Sequence, residues 1–228
     1  IDPKGLAPLA ANPAVELLMA VGDAAKTAEL VPGAHVWLVR SETKVTDEWL
    51  GKAKALRLVG RAGVGVDNID VDGASRRGIA VINAPAANTI SACEHTWALM
   101  LSLARKVPAA DASMKAGAWD RSKFMGLELD GKTLGLVGLG RIGREVAKRA
   151  AAFGMKVLAY DPYNSEKQAE AMGLELRPFK DLLGASDFVS LHVPLTEKTR
   201  HMVDAKSLAW FKKGARLVNC ARGELVND

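Results

Sequence analysis

The sequence predicts an α/β fold in which parallel sheets are flanked by helices. Three observations carry it. Short apolar runs bounded by turn residues alternate with helical patterns along the chain, the arrangement that yields parallel strands joined by helical crossovers. One of these runs, Thr133-Leu134-Gly135-Leu136-Val137, leads directly into a glycine turn and a helix. Finally, Arg40, Arg61, Asp161, His192 and Arg222 all fall at the carboxyl ends of predicted strands, where open α/β sheets gather their ligands.

Composition narrows the function classes. At 228 residues, 49% hydrophobic and 25% charged, the chain can build one large domain or two modest ones. No window is apolar and long enough to span a membrane. Cys93 and Cys220 give no disulfide framework and suit a reducing compartment, so a cytoplasmic location is expected. His35, His95, His192 and His201 show no metal-ligand spacing with either cysteine, and no metal is expected. The net charge is +5, but the 31 lysines and arginines form no basic tract. Small anionic ligands are therefore expected rather than nucleic acid.

Taken in order, residues 1–86 form a first unit. Residues 1–10 read as a loop entering a helix, and residues 13–25 and 46–55 carry helical patterns. Strands are expected at Val36-Trp37-Leu38-Val39, at Leu56-Arg57-Leu58-Val59 and at Ile79-Ala80-Val81-Ile82, with a short helix over 72–77. The second strand runs into Gly60-Arg61-Ala62-Gly63-Val64-Gly65, yet this unit has no dinucleotide turn and would be the substrate side.

Residues 87–228 form the second unit. Ser91-Ala92-Cys93-Glu94 has the form of a capping box before an apolar helix through Trp97, Leu99, Met100, Leu101 and Leu103. Glu94 and His95 are adjacent on that helix, point apart, and do not make a catalytic pair. A connection over 117–131 follows. Later strands are expected at Phe188-Val189-Ser190-Leu191, ending on His192-Val193-Pro194, and at Arg216-Leu217-Val218-Asn219, ending on Cys220-Ala221-Arg222. A helix is expected near 205–211.

Between them lies the stretch that defines the unit, Lys132 to Asp161. After the apolar strand come Gly138-Leu139-Gly140-Arg141-Ile142-Gly143, a G-x-G-x-x-G turn. Gly138 permits the bend, Gly140 lets backbone approach a diphosphate, and Gly143 lets helix pack on strand. The helix N-terminus turns free N–H groups and its dipole toward that diphosphate. Ile142, Val146, Ala150 and Phe153 share a helical face, Glu145 precedes Arg149 at i,i+4, and Gly154 ends the helix. Lys156-Val157-Leu158-Ala159-Tyr160 then reads as a strand, with Asp161 eighteen residues past Gly143, placed to accept from the adenine ribose hydroxyls. Pro162 and Tyr163 follow where an arginine would receive a 2′-phosphate, so NAD is expected rather than NADP.

Several stretches together resemble the D-2-hydroxyacid dehydrogenase family: VRSETKVT, GRAGVGVDNID, GIAVINAP, AWDRSKFMGLELDGKTLGLVGLGRIGREV, LHVPLTEKT and VNCARGELV. The resemblance implies two Rossmann-like domains with an active cleft between them, and a homodimer or higher oligomer. It implies NAD held by backbone N–H groups of Arg141 and Ile142 and by Asp161. Val64, His192, Val193, Pro194, Cys220, Ala221 and Arg222 would line the rest of the cofactor site. Arg222 matches the catalytic arginine, whose planar fork suits a substrate carboxylate. Arg40, Lys44, Arg61, Ala62, Gly63 and Asn88 would surround the substrate, and Arg121 matches an arginine that reaches a neighbouring subunit.

The number of cations favours a phosphorylated substrate, since a doubly charged phosphate requires paired donors. The activity implied is NAD-dependent oxidation of 3-phosphoglycerate to 3-phosphohydroxypyruvate in serine synthesis. The alternatives are another D-2-hydroxy acid, such as glycerate, or an NAD-sensing corepressor of the same fold. Glu224 departs from a family glycine, and Val64 and Val193 stand where threonine is common. By the resemblance, a first strand would precede Ile1, and further strands with an acid–base Glu and His would follow Asp228. The chain alone is then expected to bind NAD weakly and to turn over nothing.

Overall fold

The computed structural model describes residues 1–164 and 166–227. Two compact units are present, Ile1–Asn88 and Thr89–Asp228. Every strand pair in both is parallel.

The first unit contains α1 (Pro3–Ala10), α2 (Ala24–Leu30), β1 (Val36–Val39), α3 (Asp47–Lys52), β2 (Leu58–Arg61), α4 (Val71–Arg76) and β3 (Ala80–Asn83). Its sheet has the order β1-β2-β3, with Val39, Arg61 and Asn83 level across it. Val39 and Val59 point into a core with Val31, Val45, Leu50, Ile69 and Ala74, whereas Val36 and Ile82, on the opposite pleat, are about half exposed.

Two expectations at the start of the chain fail. Residues 3–10 are helical, because Asp2 caps the helix through Lys4 N–H at 2.8 Å and Pro3 fits the first turn. Residues 13–23 are not helical. Asn12 accepts from Ala14 N–H and Pro13 stops the backbone, while Val15, Leu18, Met19 and Val21 remain exposed. Without a core to receive its stripe, a helical pattern of that length is marginal. The second strand also begins two residues later than expected, at Leu58, after Leu56 has turned into the core.

The second unit contains α5 (Thr89–Arg105), α6 (Val107–Lys115), β4 (Thr133–Val137), α7 (Arg141–Ala152), β5 (Lys156–Tyr160), α8 (Glu166–Glu170), β6 (Glu175–Leu176), α9 (Phe179–Ala185), β7 (Phe188–Leu191), α10 (Ala205–Leu208) and β8 (Arg216–Asn219). The helix expected to open on a capping box at Ser91 starts at Thr89 instead, which puts Ser91 and Glu94 inside its first turns.

Strand order is β6-β5-β4-β7-β8, the doubly wound arrangement that reverses direction between β4 and β7. Alternation along each strand feeds two cores. Leu134, Leu136, Val157, Ala159 and Phe188 pack with Trp97, Met100, Val146 and Ala150 of α5 and α7. Leu158, Val189 and Leu191 face Leu182 and Leu183 of α9 on the other side. On α7, Val146 and Ala150 are fully buried, and Phe153, the residue that caps its end, stacks on Trp97 with ring centroids 4.7 Å apart. Arg149 and Glu145 pair at 2.5 Å. Both faces of this sheet are covered, as parallel sheets require.

Candidate functional site

The switch point between β4 and β7 carries the glycine turn, and sterics set its shape. Gly138 has φ +101°, and a Cβ there would lie 2.7 Å from the backbone oxygen of His192, the residue that follows β7. A Cβ on Gly143 would come within 2.1 Å of Gly138 O, so α7 sits directly on the turn. Gly140, the N-cap of α7, is different: no atom lies within 4 Å of the place its Cβ would take. That open face lies beside the first N–H groups of a 12-residue helix, which have no intrahelical partner. These features fit a dinucleotide diphosphate, which needs close backbone approach and oriented donors.

Asp161 stands at the end of β5. Its Oδ2 accepts from Leu139 N–H at 2.7 Å and its Oδ1 from Tyr163 N–H at 2.8 Å. Burial would raise its pKa, but these bonds and those from Asn164 outweigh it and hold the carboxyl below its ordinary range. A fixed carboxylate with further acceptor capacity suits ribose hydroxyls. Two residues the sequence did not single out complete this corner. Arg144 donates through Nε to Leu139 O at 2.8 Å and through Nη2 to Asn164 Oδ1 at 3.0 Å.

At the end of β7, His192 is partly buried, and desolvation of its ring pushes the pKa down to about 4. Its Nε2 lies 2.9 Å from Ser190 Oγ. The ring is therefore neutral near pH 7 and carries no charge for a phosphate. A Cγ1 methyl of Val193 lines the glycine turn, and Thr199 Oγ1 donates to Pro194 O at 2.7 Å, fixing the loop. His201 lies exposed with φ +53°.

Past β8, Cys220, Ala221 and Arg222 are partly buried. Asn219 bridges the turn: its Oδ1 accepts from Ala221 N–H at 3.0 Å and its Nδ2 donates to Arg222 O at 2.8 Å. Arg222 Nη1 donates to Ala221 O at 2.9 Å. Asn219 was missed as a site residue, although an asparagine closing a strand before a turn signals such a bridge. Glu224 does not have a positive φ, so the backbone there does not need the family glycine.

In the first unit, Arg40 follows β1 and Arg61 ends β2, so both lie at the carboxyl ends of these neighbouring strands. Arg40 and Lys44 are exposed, whereas Arg61 folds back over Gly63 and donates to Ala62 O at 3.2 Å. Asn68 Nδ2 holds the loop before Lys44 through Arg40 O at 2.9 Å and Thr43 O at 2.7 Å. Asn83 Nδ2 donates to Val64 O at 2.6 Å. Asn88 is the last residue of this unit and is exposed. Arg121 belongs to the second unit, where its guanidinium lies 5.2 Å from the centre of the Trp119 ring.

Among the described residues, no cluster of three or more His, Cys, Asp or Glu side chains could hold a metal, and no helix is long and apolar enough to cross a membrane.

Strand order, glycine turn and Asp161 together define a dinucleotide-binding domain of the Rossmann class. Residues 97–228 match the family model described as D-isomer specific 2-hydroxyacid dehydrogenase, NAD binding domain. The chain belongs to that family, and its second unit is an NAD-binding domain. D-3-phosphoglycerate dehydrogenase from Methanocaldococcus jannaschii is 54% identical over 201 residues, 88% of this chain and 38% of that protein. The Bacillus subtilis protein of the same name is 50% identical over 191 residues, 84% of this chain and 36% of that protein. The chain thus spans less than two fifths of the length of these two relatives. Among solved structures, NAD-dependent formate dehydrogenase from Staphylococcus aureus in complex with NAD superposes with a TM-score of 0.90 at 32% identity, covering 98% of this chain and 68% of that one. D-lactate dehydrogenase from Aquifex aeolicus, complexed with NAD and lactic acid, gives 0.82 at 37% identity, with 88% and 60% covered.

Proposed function

We propose that the protein to which this chain belongs is a cytoplasmic, NAD-dependent dehydrogenase that oxidises 3-phosphoglycerate to 3-phosphohydroxypyruvate, in serine synthesis. The observation that carries this is identity of 50% or more to proteins named D-3-phosphoglycerate dehydrogenase over at least 84% of the chain. NAD, when bound, accepts the hydride from the substrate carbon.

The chain's own residues bind and orient. Gly138, Gly140 and Gly143, with the N–H groups of Arg141 and Ile142, seat the diphosphate, and Asp161 takes the ribose hydroxyls. Val64, His192, Val193, Pro194, Cys220 and Ala221 line the remainder of the cofactor site. Arg222 grips the substrate carboxylate in a bidentate bond beside the reacting carbonyl and is the catalytic residue of this chain. Residues 1–86 supply the substrate side. Arg40, Lys44 and Arg61 provide charge for a phosphorylated hydroxy acid, Ala62 and Gly63 offer backbone donors near its carboxylate, and Asn88 falls beside it. Arg121 serves the site of a second subunit in a homodimer or higher oligomer.

The test is NADH consumption by the full-length protein with 3-phosphohydroxypyruvate and with unphosphorylated hydroxypyruvate. A marked preference for the phosphorylated substrate is expected, and equal rates would overturn the phosphate assignment. Arg222→Lys is expected to cut turnover at least tenfold, roughly the loss of one charged hydrogen bond, with NAD affinity nearly unchanged.

A further inference from the structure

We propose that Arg144 and Asn164 are positioning residues that set the preference of this site for NAD over NADP, by holding Asp161 and the glycine turn as one body. This rests on the assignment of Asp161 to the adenine ribose. The geometry is a closed ring. Asp161 receives Leu139 N–H at 2.7 Å, and the carbonyl of the same Leu139 receives Arg144 Nε at 2.8 Å. Arg144 Nη2 then reaches Asn164 Oδ1 at 3.0 Å, and Asn164 bonds back to the Asp161 carboxylate. Leu139, the middle residue between Gly138 and Gly140, is thereby gripped at both its N–H and its C=O by groups that converge on Asp161.

The ring has two consequences. The donors for the diphosphate follow the turn, and the acceptor for the ribose follows Asp161, so neither can shift without the other. It also fixes the carboxylate as an anion where a 2′-phosphate would have to sit, and like charges held together repel. Arg144 is the cation hydrogen-bonded into that corner. Its Nε and Nη2 donors are already committed to Leu139 O and Asn164 Oδ1, so those two are not offered to a phosphate.

A tie that merely stabilised the fold would weaken both dinucleotides alike, whereas a specificity clamp changes their ratio. Calorimetric titration of the full chain with NAD and with NADP distinguishes these. Arg144→Met, which keeps an unbranched stem, is expected to weaken NAD about tenfold, the scale of one charged hydrogen bond, and to leave NADP within about twofold. Asn164→Ala is expected to move the ratio in the same direction. In an Asp161→Ala background, Arg144→Met is expected to alter NAD affinity by less than about twofold, because the coupled group is gone. Thermal unfolding of each variant establishes that it is folded.

Equal losses for NAD and NADP overturn the proposal, as does an Arg144→Met loss undiminished by Asp161→Ala. If Asp161→Ala itself leaves the NAD to NADP ratio unchanged, the ribose assignment falls and takes the clamp with it. If Asp161→Ala shifts the ratio while Arg144→Met and Asn164→Ala do not, only the clamp falls.

Discussion

Two glycine-rich loops leave the central strands of two parallel sheets, and they are held by different forces. After β4, the turn over 138–143 is shaped by backbone pressed on backbone, Gly138 against His192 O and Gly143 against Gly138 O, and Asp161 and Arg144 bond Leu139 within it. After β2, the loop over 61–66 is held by hydrogen bonds, Ala62 N–H to Val39 O, Ala84 N–H to Gly63 O and Asn83 Nδ2 to Val64 O, while Asn68 ties the neighbouring 40–43 turn. Arg61 fills the space over Gly63. The first arrangement is rigid and suits a cofactor whose shape does not vary. The second carries its charges on adjustable side chains, Arg40, Lys44 and Arg61, and suits recognition of a small anion.

The sharpest way to break this contrast is Gly143→Ala. The added methyl would meet a backbone oxygen at 2.1 Å with no flexible side chain to yield. A loss of about 3 kcal/mol or more in the second unit is expected, with NAD binding abolished. Urea unfolding and NAD titration check it. A variant that binds NAD normally would show that the turn is not sterically fixed.

Acid probes the same turn from beneath. His192 is held neutral, with its pKa lowered from 6.5 to about 4 by burial. The unfolded chain therefore takes up a proton that the folded chain resists. The stability this represents is complete above about pH 6.5 and is lost as pH falls toward 4, up to about 3 kcal/mol. The depressed carboxyls Asp161, Asp187 and Asp204 lose their contributions only at lower pH, below their ordinary value of 3.8. Comparing urea midpoints at pH 7 and pH 5.5, above the ordinary value of 4.5 of the depressed Glu48, Glu145 and Glu175, isolates the histidine, and His192→Gln should flatten the difference. An unchanged slope in that variant would assign the acid sensitivity elsewhere.

In the first unit the corresponding variant is milder. Asn68→Ala removes two bonds, to Arg40 O and Thr43 O, and is expected to cost about 1–2 kcal/mol because the exposed carbonyl can turn to water. Amide exchange should speed up at Val45 and Asp70, whose N–H groups bond Asn68 O and Val45 O. Protection unchanged at those amides would mean that Asn68 does not organise the loop.

These differences also explain what could be foreseen. A steric demand for glycine leaves a pattern, so the turn, α7 and Asp161 were legible in the sequence, as were the strands ending at Val39, Leu191 and Asn219. Bridging amides leave almost none. Asn68, Asn83 and Asn164 look like ordinary loop asparagines until the chain folds and brings distant partners to them; Asn219, whose bridge is local, is the exception. Arg144 reads as one more exposed charge on a helix, because its partner, twenty residues on, arrives by a crossover. Residues 13–25 misled for the opposite reason. Their apolar spacing is helical, but a pattern needs a surface to pack on, and the helix forms only from Ala24, where Asp23 caps it through Lys26 N–H.

Gly140 separates binding from folding most finely, and its substitution is expected to have the smallest structural effect. Its φ of −66° is open to any residue, and nothing lies within 4 Å of a Cβ built there. Gly140→Ala should therefore cost less than about 1 kcal/mol of stability, the scale of an N-cap change. The methyl would nonetheless stand on the face where a diphosphate must approach the N–H groups of Arg141 and Ile142. NAD affinity should fall at least about tenfold, the loss of a charge-assisted bond. The thermal midpoint and the NAD titration are read on the same sample. Lost affinity with a preserved midpoint locates the diphosphate over Gly140; preserved affinity would move the seat elsewhere on the β4–β7 edge.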